Sequence, residues 1–215
     1  MKKIVILISG RGSNMEALIA ARDAGNLPVE IVAVISNRLE AEGLETAARA
    51  GITTHYVNHK AFAGREAFDA RLAECIDEFT PDLVVLAGFM RILSDGFVRH
   101  YEGRLINIHP SLLPSFPGLH THQRALDEGV RIHGCTVHFV TPALDHGPVI
   151  IQAAVPVLDS DDEASLAARV LRQEHLIYPQ AVRWFAEDKL TLENGRVRLA
   201  GEQAADSVLI SPGIR

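Results

Sequence analysis

Asn107 and His109 are the side chains whose types and spacing suit acyl chemistry. Asn107 and His109 lie two apart in the strand-like run Leu-Ile-Asn-Ile-His, and a strand repeats with period two, so both project from one face. Pro110 cannot donate to a sheet ladder and therefore ends the strand at His109, beside a loop carrying Pro114, Pro117 and Gly118. An amide and a protonated imidazole both donate hydrogen bonds, which suits a carbonyl oxygen that turns negative under attack. Asp145 stands in the turn Pro-Ala-Leu-Asp-His-Gly-Pro, beside Gly147 and Pro148. The same residues also suit plain structural work, because Asn and His can satisfy loop backbone groups and Asp is common in turns.

A second candidate lies near the N-terminus. Residues 3–9 form an unbroken, β-branched apolar run, the pattern of a strand buried on both faces. Ser9-Gly10-Arg11-Gly12-Ser13-Asn14 then opens a helical segment over residues 15–22, with Ser13 or Asn14 available as its cap. Such a turn gathers free N–H groups at the positive end of a helix dipole and can hold a phosphate. It can equally be a tight turn and nothing more. The dinucleotide fingerprint is incomplete: Met15 takes the place of its third glycine, and Ser36-Asn37-Arg38 replaces the acidic residue after the second strand. Arg38 leaves an NADP-like 2′-phosphate open as an alternative.

The elements that must position these groups alternate. Strands are expected at residues 29–35, 53–57, 82–87 and 105–109, and helices at 41–50, 65–79 and 121–128, with a short one capped by Ser94 and running through residue 100. Residues 131–141 and 149–157 have hairpin-like spacing, which predicts an antiparallel pair added to the sheet. The expected fold class is therefore α/β: a Rossmann-like open twisted sheet, parallel in its N-terminal half, with antiparallel strands added in the C-terminal half. Residues 162–187 read as a long helix that Pro179 should break or kink, and residues 190–199 around Asn194-Gly195 as a terminal hairpin. One domain is expected over residues 1–200, with a phosphate-binding half to about residue 100, a catalytic half beyond it, and a loose tail at 201–215.

Composition narrows the partners. The chain has 215 residues, 47% of them hydrophobic, enough for a substantial core. A net charge of −6 argues against nucleic acid or an anionic membrane surface, and favours small-molecule substrates. No run approaches the roughly 18 apolar residues of a membrane span, and no secretory leader is legible, so the cytoplasm is expected. Cys75 and Cys135 read as buried thiols in a reducing compartment. Six histidines fall between residues 109 and 146, but their spacings lack paired ligand geometry and no metal is expected. Among them His138 reads as an inward histidine supporting the site, whereas His55 and His59 read as surface residues.

Asn-x-His-Pro-Ser-Leu-Leu-Pro at residues 107–114, followed by Phe-Pro-Gly, resembles the signature of the folate-dependent formyltransferases. The continuation Gly-Leu-His-Thr-His at 118–122 resembles their phosphoribosylglycinamide branch, and the likeness runs from residue 4 to about residue 187. The resemblance implies transfer of the formyl group of 10-formyltetrahydrofolate, as co-substrate, to the amine of 5′-phosphoribosylglycinamide in purine synthesis; a monomer or weak homodimer is expected. It implies catalytic roles for Asn107, His109 and Asp145, the last within the second signature Asp-x-Gly-Pro. It further implies phosphate contacts from Gly12, Ser13 and Asn14, and ribose and amine contacts from Leu171, Arg172, Gln173 and Glu174. Folate contacts are implied for Arg65 at the tail, for Met90, Arg91, Ile92 and Leu93 along the pterin, and for Asn107, Thr141, Pro142, Ala143, Leu144 and Asp145. His146 departs from the pattern, which often has glycine there, and adds bulk to the folate loop. Three alternatives share the core. A 10-formyltetrahydrofolate hydrolase is expected to carry an N-terminal regulatory domain, a methionyl-tRNA formyltransferase a C-terminal RNA-binding domain, and a non-catalytic folate or nucleotide-binding module neither activity.

Overall fold

The apolar runs of the first half assemble into a sheet because each is too hydrophobic to leave either face in water. The computed structural model describes residues 1–202, 209, 211 and 212, so most of the expected tail lies outside the described residues. In chain order the strands are β1 (Lys2–Ile8), β2 (Val29–Ser36), β3 (Thr54–Tyr56), β4 (Leu83–Leu86), β5 (Leu105–His109), β6 (Ile132–Phe139) and β7 (Val149–Pro156). They form one sheet in the order β3-β2-β1-β4-β5-β6-β7, parallel through β5 and antiparallel at β5–β6 and β6–β7. The helices are α1 (Ser13–Asp23), α2 (Glu42–Arg49), α3 (Arg65–Asp77), α4 (Asp95–His100), α5 (Thr121–Asp127) and α6 (Glu163–Ala186). A short hairpin, β8 (Leu190–Glu193) and β9 (Arg196–Leu199), turns through Asn194 and Gly195, both at positive φ as a tight primed turn requires.

Alternation along β1 sorts the core into two layers. Ile4, Ile6 and Ile8 pack with Met15 and Leu18 of α1 and with Val170, Tyr178 and Val182 of α6, while Val5 and Leu7 meet Phe68, Leu72 and Ile76 of α3 on the other face. The chain winds outward from β1 to β3, then returns to β4 on the other side of β1. Ligands in such sheets bind outside the carboxyl ends of the strands at this reversal. Here it falls between Ser9, after β1, and the segment after β4.

Three local expectations are corrected. Neither Ser13 nor Asn14 caps α1: Gly12 is the N-cap, at φ 73° and ψ 41°, with no side-chain cap bond. A left-handed backbone there excludes most residues, and Asn14 is already inside the helix with its amide committed elsewhere. Pro179 does not break α6, which runs unbroken from Glu163 to Ala186. The surrounding turn is held from outside, since Tyr178, Ala181 and Val182 are buried and the Tyr178 hydroxyl donates to Leu86 O at 2.8 Å and Ile106 O at 3.3 Å. His55 and His59 are half-buried rather than surface residues, His55 edge-on to Phe79 and His59 bonded to Asn37.

Candidate active site

The first wall of the crevice is the turn after β1. Gly12 leads directly into α1, whose first-turn N–H groups have no intrahelical acceptors and add to the positive end of the helix dipole. Gly43 of α2 packs so closely that its N–H donates to Gly10 O at 3.1 Å, and an added Cβ would press Ile8 and Arg11. The turn is thus held closely against α2. Across from it, Asn14 Nδ2 donates to Glu174 of α6 at 2.7 Å, leaving Asn14 Oδ1 buried without a partner among the described residues. Burial raises the Glu174 pKa, and the Asn14 hydrogen bond partly offsets this. Gln173 and Leu171 are half-buried on the same helix, and Arg172 is exposed.

The second wall is the end of β5. Asn107 pairs across the sheet with His138 and His109 with Thr136, so both side chains stand on one face as the strand period requires. His138 Nδ1 must donate to Phe139 O at 2.9 Å, because a carbonyl only accepts. Its Nε2 therefore accepts from Asn107 Nδ2 at 3.4 Å. Burial lowers the His138 pKa, which keeps that neutral tautomer and fixes the Asn107 amide. His109 Nε2 donates to Phe116 O at 3.0 Å, and its Nδ1 faces Asp145 Oδ2 at 3.6 Å, too long for a good hydrogen bond but close for two charges.

Asp145 comes from the β6–β7 turn at φ 51°, and its Oδ2 accepts the Gly118 N–H at 2.8 Å. Gly147, two residues on, has no room for a Cβ, which would collide with Phe139 O. The turn thus packs against the end of β6, with the Asp145 carboxylate reaching the proline loop beside His109. Sequence reasoning missed what anchors the intervening proline loop. Thr136 Oγ1 donates to Ser111 O at 2.7 Å and accepts from Leu113 N at 3.1 Å, while Gln152 Nε2 donates to Leu113 O at 2.9 Å. Thr136 was findable, since it lies two residues before His138 on the same strand face; Gln152 depended on the pairing of β6 with β7.

The third wall follows β4. Met90 N donates to Ser9 Oγ at 2.8 Å, tying this segment to the end of β1. Met90 and Ile92 are each 60% exposed and Leu144 is 58% exposed, apolar surface that a flat ring can cover. Arg91 stacks on Phe68 at 4.9 Å, and its buried Nε lacks a partner among the described residues. Leu93 packs against the α3 layer, and Ser94 N donates to Asp69 at 2.6 Å. Thr141 bonds its own turn at Ala143 O, with Pro142 and Ala143 exposed beside Asp145. Arg65, at the start of α3, stands apart from Asn107 and His109 on the rim of a cavity of about 620 Å³ that also meets Asp69 and Ser94. The open apolar side chains of Met90, Ile92 and Leu144 suit the flat ring system of a folate. Among the described residues no three His, Cys, Asp or Glu side chains gather as metal ligands.

An amide and an imidazole at the carboxyl end of β5, one strand from the reversal of a doubly wound sheet, with a carboxylate beside the imidazole, form an arrangement that suits acyl-group transfer. The chain belongs to the formyl transferase family, whose sequence profile matches residues 2–182. It is 54% identical over 200 residues to the phosphoribosylglycinamide formyltransferase of Escherichia coli, covering 93% of this chain and 94% of that protein. It is 48% identical over 196 residues to the bovine trifunctional purine biosynthetic protein adenosine-3, covering 91% of this chain and 19% of that protein. The crystal structure of glycinamide ribonucleotide transformylase 1 from Symbiobacterium toebii superposes with a TM-score of 0.91 at 48% identity, over 93% of this chain and 94% of that one. The α/β class with added antiparallel strands is the fold of that structure.

Proposed function

We infer that this chain transfers the formyl group of 10-formyltetrahydrofolate to the amine of 5′-phosphoribosylglycinamide, giving the formylated product and tetrahydrofolate, in purine biosynthesis. The observation that carries a mechanism is the approach of Asp145 to His109 at 3.6 Å, beside the amide of Asn107. The amine attacks the formyl carbon, one C–N bond forms as another breaks, and a proton passes from the amine to the departing folate nitrogen. Asn107 donates to the formyl oxygen as it becomes negative, and protonated His109 does so with its Nε2–H once that hydrogen bond leaves Phe116 O. Asp145 stabilises the charge on His109 and guides the proton between the two nitrogens. His138 holds the Asn107 amide in register.

Gly12, Ser13 and Asn14 bind the substrate phosphate through the α1 amides. Leu171, Arg172, Gln173 and Glu174 line the ribose and amine, with Glu174 able to accept from hydroxyls. Met90, Arg91, Ile92, Leu93 and residues 141–145 hold the pterin, and Arg65 meets the acidic tail. Residues 1–200 act as one catalytic unit, supported by a sheet that is continuous through both halves. The net charge of −6 supports small-molecule substrates over nucleic acid, and among the described residues no helix is long and apolar enough to cross a membrane. A cytoplasmic monomer or weak homodimer fits this reading.

The test is the absorbance of deformylated folate, followed with and without phosphoribosylglycinamide. Transfer requires the amine and yields one formylated amine per folate. Formate release at full rate without the amine would identify a hydrolase instead, and binding without turnover a non-catalytic module.

A further inference from the structure

Phe116 lends the site its backbone: its carbonyl oxygen accepts from His109 Nε2 at 3.0 Å. With Asp145 Oδ2 at 3.6 Å from Nδ1, an acceptor faces each ring nitrogen, and together they fix the plane of the imidazole. The Gly118 N–H secures Asp145, whereas the Phe116 carbonyl is only as steady as the loop that carries it. That loop does not hold itself. Phe116 has φ 54° and His120 φ 55°, on either side of Gly118 at φ 79°, and a left-handed backbone is unfavourable for any residue with a side chain. Such a conformation persists only where its surroundings impose it.

Two elements impose it. From β6, the His133 ring meets the Phe116 ring edge-on, with centroids 5.7 Å apart and planes at 77°. From α5, the Arg124 guanidinium lies 5.5 Å from the Phe116 ring centroid, and its Nη1 donates to Pro117 O at 2.6 Å, so one side chain grips both the ring and the next peptide. His133 is only 1% exposed, and His122 of α5 meets it edge-on at 5.3 Å. Neither nitrogen of His133 makes a well-formed hydrogen bond among the described residues. A buried imidazole without such bonds serves by its shape, as one flat ring set against another.

We propose that His133 and Arg124 are positioning residues for formyl transfer: they clamp Phe116 so that its carbonyl holds the His109 ring in plane, with a proton kept on Nε2 for the formyl oxygen. The inference rests on the formyl-transfer reading, which gives that N–H its acceptor. Phe116 O occupies the N–H until the formyl oxygen replaces it, and the clamp sets how accurately the ring is aimed at that moment. Neither His133 nor Arg124 touches the reacting atoms in this scheme; both act through Phe116.

The experiment measures kcat, both KM values and, in the substrate-free protein, the nitrogen NMR shifts of the His109 ring, for the wild type, His133→Ala, His133→Phe and Arg124→Ala. In the wild type the shifts should report a proton fixed on Nε2. In both alanine variants the shifts should move and kcat should fall about three- to tenfold, with both KM values within about twofold of wild type, because a poorly aimed donor weakens the transition state and spares the ground-state complex. His133→Phe keeps a flat ring against Phe116 and should restore both readouts. Arg124 is exposed, so its variant carries the test if His133→Ala does not fold. A kcat at or above wild type in either folded alanine variant, or a lower kcat with the His109 shifts unmoved, would overturn the proposal. So would a His133→Phe variant as slow as His133→Ala. The shifts need no substrate, so they stand apart from wild-type turnover, whose failure would count against the formyl-transfer reading instead.

Discussion

The Gly118 N–H donates to Asp145 Oδ2 at 2.8 Å, and the same oxygen lies 3.6 Å from His109 Nδ1. One carboxylate thus closes the proline loop and sets the charge beside the imidazole. The His109 and Asp145 side chains are only 8% and 9% exposed, so water screens their interaction poorly. Asn at position 145 can keep the positive φ and still accept from Gly118, but it carries no charge. Asp145→Asn should therefore lose about 10² or more of kcat with little change in Tm or in KM for folate. A kcat near wild type would show that the charge at 145 is not used.

Gly12 is the residue on which the turn proposed to hold the phosphate depends. Alanine there must adopt φ 73°, at a cost of about 1–2 kcal/mol, and its Cβ would meet Met15 Cε at 3.3 Å. Gly12→Ala should raise KM for phosphoribosylglycinamide at least about tenfold, the equivalent of 1.4 kcal/mol, while KM for folate stays near wild type. Equal rises in both constants would place the phosphate elsewhere.

Tyr178 ties α6 to β4 and β5, the strands that lead into the third and second walls. Tyr178→Phe removes hydrogen bonds to Leu86 O and Ile106 O inside a fully buried site, and should cost about 1–2 kcal/mol in urea unfolding. An unchanged unfolding midpoint would show that those carbonyls are satisfied without it.

Histidine burial gives the protein a pH-dependent stability. Burial, then the neighbouring His122, pushes His133 down to about 4, and its ring packs edge-on against Phe116 at 5.7 Å. The folded pKa lies below the unfolded value of about 6.5, so between these the unfolded chain binds the extra proton. This contribution is present in full above about pH 6.5, declines as pH falls, and has lost up to about 3 kcal/mol by pH 4. His133→Phe should flatten that part of the slope when urea midpoints at pH 7.5 and 4.5 are compared. A slope equal to wild type would assign the effect to other groups.

Much of this architecture could be read from local pattern. The double-faced apolar runs of β1 and β4, and the Asn107–His109 alternation stopped by Pro110, depend on neighbours in sequence, and their boundaries fall within about two residues of expectation. The elements that eluded reading are those decided by distant contacts. Ser13 and Asn14 look like caps, but Gly43 and Glu174 determine how that turn sits; Pro179 looks like a helix breaker, but burial and the Tyr178 bonds hold its turn. Likewise Gln152 reaches the proline loop only through the antiparallel register of β6 and β7. The motif residues of the site were legible, as was His138 behind Asn107, but Gln152 and Tyr178 were not, because contacts distant in sequence give them their roles.

The central claim is that Asn107 and His109 stabilise negative charge on the transferred formyl oxygen. The direct measurement is the single-turnover rate of formyl transfer to phosphoribosylglycinamide in Asn107→Ala and His109→Ala, with both substrates saturating and folding checked by circular dichroism. Each variant should be folded, bind both substrates and transfer about 10²–10³ more slowly than wild type. Transfer within a few-fold of wild type in either folded variant would contradict the claim.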